Sequence, residues 1–93
     1  MTYSYELPCY DSRKSFYGKA QVIVEGDTFT LRSYSTLVLR WDEARQELTP
    51  LWSGYSVTTM RHINRFLIHL GIRAPGGKAW WYSLTTYTPV RVA

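Results

Sequence analysis

The dipeptide Gly26-Asp27 lies between two runs of β-forming residues, and it constrains the fold more than any other feature of this sequence. Residues 19–25 before it are rich in β-branched side chains, which favour extended strands. Residues 28–32 after it alternate between polar and apolar side chains, as expected of a strand with one buried face. A two-residue connection that begins with glycine, which adopts positive φ at no steric cost, closes an antiparallel hairpin. The sequence therefore predicts a β-hairpin over residues 19–32.

Two further strands are predicted after the hairpin. Residues 36–41 form the third strand, and residues 47–52 form the fourth, which Pro50 confines to an edge of the sheet or ends early. Successive residues of a strand point to opposite faces. The third strand is therefore expected to place Leu37, Leu39 and Trp41 on one face, and Val38 and Arg40 on the other.

Both ends of the chain also carry strand signals. Tyr3, Tyr5 and Leu7 alternate with polar residues and predict a short first strand. Residues 79–93 are aromatic and β-branched, and they predict one or two closing strands with a break at Pro89.

An amphipathic helix is predicted over about residues 57–70. Its apolar side chains recur at spacings of three and four and form one stripe: Met60, Ile63, Leu67 and Leu70. Ser56 or Thr58 can cap the first turn with a hydroxyl, and Gly71 is suited to the left-handed position that ends a helix. The sequence thus predicts an α+β fold, in which an antiparallel sheet of about four to six strands carries this one helix on one face.

The charge of the chain is unevenly distributed along its length. The 93 residues, which predict a single domain over 1–93, carry a net charge of +4. Every acidic residue lies at or before Glu47, whereas residues 48–93 contain five basic residues and no acid. Such asymmetry predicts a basic face on the folded protein.

The sequence gives no sign of export or membrane insertion. No apolar run approaches the roughly 18 residues of a membrane-spanning helix, and the N-terminus lacks a basic segment followed by an apolar stretch. Cys9 is the only cysteine, so it has no partner for a disulfide within the chain. We therefore expect a cytoplasmic protein without a membrane partner.

Candidates for catalysis or metal binding fail on spacing or context. His62 and His69 are seven residues apart on the predicted helix, which separates their backbones by about 10 Å, too far for one zinc ion. Both are interpreted as solvated or capping side chains. A lone cysteine such as Cys9 is more often a small buried hydrophobe than a nucleophile. The segment Pro75-Gly76-Gly77-Lys78 lacks the spacing of a phosphate loop. The sequence thus predicts no catalytic residue, metal or cofactor, and no enzyme.

Candidate binding residues fall into three groups. A basic face of the helix contains Arg61, His62, Arg65 and His69. A segment near the N-terminus interleaves bases with aromatic rings and contributes Arg13, Lys14 and Lys19. The adjacent pair Trp80-Trp81 is expected to place one ring in the core, because strand neighbours point to opposite faces, and to leave the other ring for a partner.

Three segments carry a family resemblance. They are RKSFYGKA at residues 13–20, LRSYSTLV at 31–38 and WSGYSVTTMRHINRFL at 52–67. In this order they resemble a family of small uncharacterised proteins from bacteriophages and other mobile elements of gut bacteria, over roughly residues 13–71. The resemblance brings no catalytic residues with it.

The resemblance and the composition together give the expected function. The resemblance implies a phage-type protein that acts in the cytoplasm of an infected or element-carrying bacterial host. It would bind and inhibit a host protein or ribonucleoprotein complex that handles nucleic acid, as an anti-CRISPR protein does, by protein–protein contact. The alternative is a small basic nucleic-acid-binding module that uses Arg61, Arg65, Lys14 and Lys19. An edge strand near residues 47–52 or at the C-terminus could also pair with a second copy of the chain.

Overall fold

The computed structural model describes residues 1–8 and 19–92 of the chain. Within them, six strands form one antiparallel sheet in which each strand pairs with the next one in sequence. The strands are β1 (Thr2–Glu6), β2 (Ala20–Glu25), β3 (Thr28–Ser33), β4 (Thr36–Asp42), β5 (Glu47–Pro50) and β6 (Val90–Arg91). Two helices, α1 (Val57–Leu70) and α2 (Gly77–Ser83), lie between β5 and β6 in the chain.

The predicted hairpin is confirmed. Strands β2 and β3 pair antiparallel from Glu25 and Thr28 onwards, and the connection is Gly26-Asp27 with Gly26 at φ 58°. A second two-residue connection follows β3, where Tyr34 adopts a φ of 56°. Short turns of this kind match the twist of antiparallel strands, so the sheet grows as a meander.

One face of the sheet is apolar and carries the helices. Val22, Leu31 and Leu39 are cross-strand neighbours on this face, and each is fully buried. Ile63 and Phe66 of α1 are also buried and belong to the same hydrophobic core. The core is therefore a layer between the sheet and the helices, as the sequence predicted.

The predicted side-chain alternation in the third strand is wrong at its start. The pairing of β3 with β4 shifts between Leu31 and Arg32, which face Leu39 and Leu37 respectively. Val38 is therefore the additional residue of a β-bulge, and it is fully buried, whereas Leu37 is 45% exposed. A bulge changes the face of the residues on one side of it, so a simple two-residue period fails there.

Helix α1 is confirmed at both ends. The Ser56 Oγ accepts a hydrogen bond of 3.0 Å from the backbone N–H of Thr59, and Gly71 adopts φ 67° at the C-terminal end. The buried side of the helix includes the predicted Met60, Ile63 and Leu67.

The prediction of strands over residues 79–93 is largely wrong, and the fold has a second helix. Residues Gly77–Ser83 form α2, and only Val90–Arg91 form a strand, which pairs with β5. Backbone freedom at Gly76 and Gly77, with φ of 72° and 85°, allows the chain to turn into α2. The Asn64 side-chain oxygen accepts a hydrogen bond from Gly77 N at 3.1 Å, which ties the start of α2 to α1. The predicted single-helix layer is thus corrected to a layer of two helices.

The other face of the sheet is mostly polar. Its cross-strand neighbours include Thr30, Arg40 and Thr49, with Ile23 beside them. In the parts of the chain that the structure describes, neither helix has the length and apolar character required to cross a lipid bilayer.

Candidate functional site

The outer side of α1 carries a line of two arginines and two exposed aliphatic residues. We call these residues the α1 strip: Val57, Arg61, Arg65 and Ile68. Spacings of three and four residues bring them to one side of a helix with 3.6 residues per turn. Val57 is 59% exposed and Ile68 is 66% exposed, while Arg61 is exposed and Arg65 is half-buried. The α1 strip therefore combines positive charge with accessible apolar surface.

The strip ends at a shallow groove near the C-terminal half of α1. Pro8, Arg65, Ile68 and His69 line this groove. Pro8 follows β1, so this groove lies between the end of the first strand and the exposed side of the helix.

His62 does not belong to the basic face, contrary to the prediction from sequence. Its side chain is fully buried, and its Nδ1 lies 2.7 Å from the hydroxyl oxygen of Ser33 on β3. The same hydroxyl lies 3.1 Å from Thr59 Oγ1, so three buried polar side chains form one network. Burial of an imidazole is tolerated only with hydrogen-bond partners, and β3 supplies one through Ser33. His62 is therefore a structural residue in the core, and the predictions that it is solvated or caps the helix are wrong.

His69 is exposed, as predicted, but it contacts β1. Its Nε2 and the Tyr5 hydroxyl share a hydrogen bond of 2.7 Å, and the two rings meet edge to face at 5.6 Å. Burial raises the pKa of Tyr5 above its ordinary value of 10.0, and the neighbouring Tyr3 adds to this effect. His69 therefore fixes the last turn of α1 against the first strand.

Of the predicted N-terminal basic segment, only Lys19 can be placed. Arg13 and Lys14, like Cys9, lie outside the described residues. Lys19 is exposed, and its Nζ lies 5.6 Å from the centre of the Tyr34 ring. Tyr34 in turn lies 5.9 Å from the His62 ring, so Lys19 sits on the solvent side of the buried network.

The predicted division of the two tryptophans into one core ring and one exposed ring is only partly met, because both rings contact the core. Trp81 is 3% exposed and lies in the core, where its Nε1 donates a hydrogen bond of 2.8 Å to the Gly54 carbonyl. Trp80 is half-buried and packs at the edge of the core. Helical geometry, not strand alternation, separates the two rings. Trp81 therefore supports the structure from inside, and only Trp80 offers any surface.

A group of two tyrosines and a lysine near these tryptophans in the chain was missed from sequence. Lys78 and Tyr82 are exposed, and Tyr55 is half-buried. We call this group the tyrosine platform: Tyr55, Lys78 and Tyr82. The rings of Tyr55 and Tyr82 lie 5.9 Å apart, and Lys78 Nζ lies 5.0 Å from the centre of the Tyr55 ring. The spacing of four between Lys78 and Tyr82 would have indicated one helix side, had residues 77–83 been assigned to a helix.

Charge is separated across the fold. Five of the seven acidic residues lie at one end of the sheet, in or beside the β2–β3 and β4–β5 connections: Glu25, Asp27, Asp42, Glu43 and Glu47. We call this the acidic end. Arg45, 3.9 Å from Asp42, and Arg91, opposite Glu47, offset part of this negative charge. The helices contribute Arg61, Arg65 and Lys78 and carry no acidic side chain. The outer side of the helical layer is therefore cationic, as the sequence asymmetry predicted for residues 48–93.

The fold and this surface define a small α+β protein in which an open antiparallel sheet supports a cationic, partly aromatic layer of two helices. A family model matches residues 3–86, and the chain belongs to that family, a family of unknown function (DUF8033). The match extends beyond the residues 13–71 that carried the resemblance, and it includes α2. Neither a curated protein nor a solved structure shows significant similarity to the chain.

Proposed function

We propose that the protein is a non-enzymatic binding domain that docks on a host nucleic-acid-handling complex and inhibits it by covering part of its surface, as an anti-CRISPR protein would. The observation that carries this proposal is the α1 strip. It holds two arginines and two exposed aliphatic side chains on one side of a single helix. The phage-type role rests on the resemblance of the sequence segments.

The composition of the α1 strip favours a protein surface as the contact. Arginine is enriched at protein interfaces and among the few residues that supply most of the binding energy, and the buried centre of an interface is more apolar than the rest of the surface. Val57 and Ile68 would gain little from a contact with phosphates, because burial against an apolar surface is what stabilises them. The partner surface would therefore be apolar at its centre and acidic around Arg61.

The charge separation supports a defined orientation of docking. The acidic end and the cationic helices give the molecule a dipole, and an acidic partner would attract the helical side and repel the opposite end. Complexes that handle nucleic acid contain both acidic catalytic clusters and bound strands. The cationic helical side would therefore find negative charge both on the acidic clusters of such a complex and on its bound strands.

Capture and inhibition assays with matched variants test the proposal. Arg61→Glu and Ile68→Ser should each weaken binding to a purified CRISPR effector complex by about 10-fold or more, as expected for central interface residues. Arg73→Glu makes the same charge change at an exposed position beyond the end of α1 and should bind like the unaltered protein. The same ranking is expected for inhibition of target cleavage.

Two results would contradict the proposal. One is equal loss of binding in the Arg61 and Arg73 variants, since that would reflect net charge alone. The other is an unaltered protein that neither binds nor inhibits any purified effector complex tested.

The alternative function is direct binding of nucleic acid through the same cations. The exposed positions of Arg61 and Lys19 favour it. Binding would then fall steeply with salt, and each lost phosphate contact would reduce the salt slope by about 0.7 to 0.9. A titration of duplex and single-stranded DNA with the Arg61→Glu and Lys19→Glu variants separates this alternative from a protein contact.

A further inference from the structure

The tyrosine platform combines one exposed ring, Tyr82, one half-buried ring, Tyr55, and an exposed cation, Lys78. The Tyr55 and Tyr82 rings are tilted by 35° at 5.9 Å, and Tyr82 is 58% exposed. Lys78 lies over the Tyr55 ring at 5.0 Å. None of these residues belongs to the α1 strip, so the platform forms a second surface.

Buried contacts next to the two tyrosines support the platform. Trp81, next to Tyr82, is buried and donates its indole N–H to the carbonyl of Gly54, next to Tyr55. The Trp52 indole occupies the space into which a Cβ on Gly54 would point. The hydrogen bond joins the loop before α1 to the middle of α2. Tyr82 on α2 is exposed, whereas Tyr55 in the loop is half-buried against the core. A surface that is already ordered loses little conformational freedom when a ligand binds.

We propose that the tyrosine platform binds an unpaired segment of single-stranded nucleic acid. The accessible face of the Tyr82 ring stacks on a base, and the Lys78 ammonium meets an adjacent phosphate. Aromatic rings beside cations are the usual means of binding single strands, because every base has a face that can stack.

Charge favours a nucleic acid over a protein at this surface. No acidic residue occurs between residues 48 and 93, so nothing in that part of the sequence offsets Lys78 or repels phosphate. The platform also lacks an exposed aliphatic side chain like Ile68 on the α1 strip, which we assign to a protein contact. Bases within a duplex are already stacked on each other, so the platform should prefer single strands.

Fluorescence anisotropy at low salt, with a labelled thymidine oligonucleotide of about 12 nucleotides, tests the proposal. This length is within the range expected for such sites. Tyr82→Ala should weaken binding by roughly 5- to 100-fold, the range for loss of one stacked base. Tyr82→Phe retains the ring and should stay within about twofold of the unaltered protein. Lys78→Gln should weaken binding and reduce the salt slope by about 0.7.

Tyr3→Ala is the matched control, because Tyr3 on β1 is 56% exposed and lies outside the platform. It should bind the oligonucleotide as the unaltered protein does. Circular dichroism of each variant verifies that the fold is retained, which is expected because both replaced tyrosines are largely exposed.

Three outcomes would overturn the proposal. The first is equal affinity of the Tyr82→Ala variant and the unaltered protein for the oligonucleotide. The second is equal affinity of the unaltered protein for the single strand and for a duplex of the same length. The third is a Tyr82→Ala variant that loses capture of a protein partner but binds the oligonucleotide unchanged. The test does not depend on the proposed inhibitory function. That function is measured by partner capture with Arg61 and Ile68 variants, whereas this site is measured with an oligonucleotide alone.

Discussion

Ser33 should be among the most sensitive polar positions of this protein. Its side chain is 2% exposed, and its hydroxyl lies 2.7 Å from His62 Nδ1 and 3.1 Å from Thr59 Oγ1. One oxygen thus satisfies two other buried polar groups that join β3 to α1. Replacement by alanine removes a single atom, creates almost no cavity, and leaves both partners without this contact.

The size of the effect follows from the two groups that lose their hydrogen bond to Ser33. A buried polar group left unsatisfied costs about 1–3 kcal/mol. The Thr59 hydroxyl, in the first turn of α1, can rotate towards a backbone carbonyl three or four residues earlier in the chain, so its loss is partly recovered, whereas the imidazole is fixed by packing. We therefore expect Ser33→Ala to lower the free energy of unfolding by about 2–3 kcal/mol. A domain of this size has roughly 5–14 kcal/mol in total, so the melting temperature should fall by roughly 10–20 °C.

Urea denaturation followed by tryptophan fluorescence measures this change. The slope with denaturant should stay constant, because the fold and its buried area are retained. Ser35→Ala, two residues away at an exposed position, is the control and should change stability by less than about 0.5 kcal/mol. A double-mutant cycle of Ser33→Ala with Thr59→Val should show a coupling of at least about 0.5 kcal/mol. A loss below about 0.5 kcal/mol for Ser33→Ala, or strict additivity with Thr59→Val, would refute this account of the network.

Three further predictions concern the loop before α1, its cap and the contact with β1. Gly54→Ala should cost about 1–3 kcal/mol in urea denaturation, because the added methyl overlaps the Trp52 indole; an unchanged midpoint would show that the indole can move aside. Ser56→Ala removes the cap of α1 and should cost about 1 kcal/mol, whereas Ser56→Asp should retain most of it. Folding raises the pKa of Tyr5 above 10.0, so the native protein holds its phenolic proton more tightly and loses stability as the pH rises above 10.0 towards the raised pKa of the folded state. Tyr5→Phe should lose less stability than the unaltered protein between pH 9 and 11, and an equal loss would contradict this.

Features encoded by neighbouring residues could be predicted from the sequence. The hairpin at Gly26 and the boundaries of α1 depend on local backbone geometry, on a hydroxyl cap at Ser56 and on a glycine at position 71. The apolar stripe of α1 is also local, since it repeats within four turns. Each of these signals lies within the segment that it shapes, so a single sequence contains it.

Features set by tertiary packing were missed. The bulge at Val38 arises from the register between β3 and β4, and nothing in residues 36–41 alone marks it. Residues 79–83 have side chains typical of strands, yet burial of Trp81 and its hydrogen bond to Gly54 favour a helix there. Strand preference mostly reflects packing on a pleated surface, so a different packing opportunity overrides it.

The candidate site shows the same division between local and tertiary information. Sequence spacing placed Arg61 and Arg65 on one outer side of α1, and this requires only helical geometry. The same spacing placed His62 beside these arginines, although His62 belongs to the buried side of α1. The distinction between an exposed and a buried imidazole was decided by Ser33, which is 29 residues away in the chain.

The two proposed surfaces predict separable defects, and this gives the strongest test of their independence. A protein contact at Arg61 and Ile68 is sensitive to the shape of the α1 strip, whereas stacking at Tyr82 requires only one exposed ring. Ile68→Ser removes no charge, so it should reduce partner capture and leave oligonucleotide affinity unchanged. Tyr82→Ala should do the opposite. If each variant instead impaired both activities, the helical layer would hold one continuous binding surface, and the assignment of separate partners to the α1 strip and the tyrosine platform would be wrong.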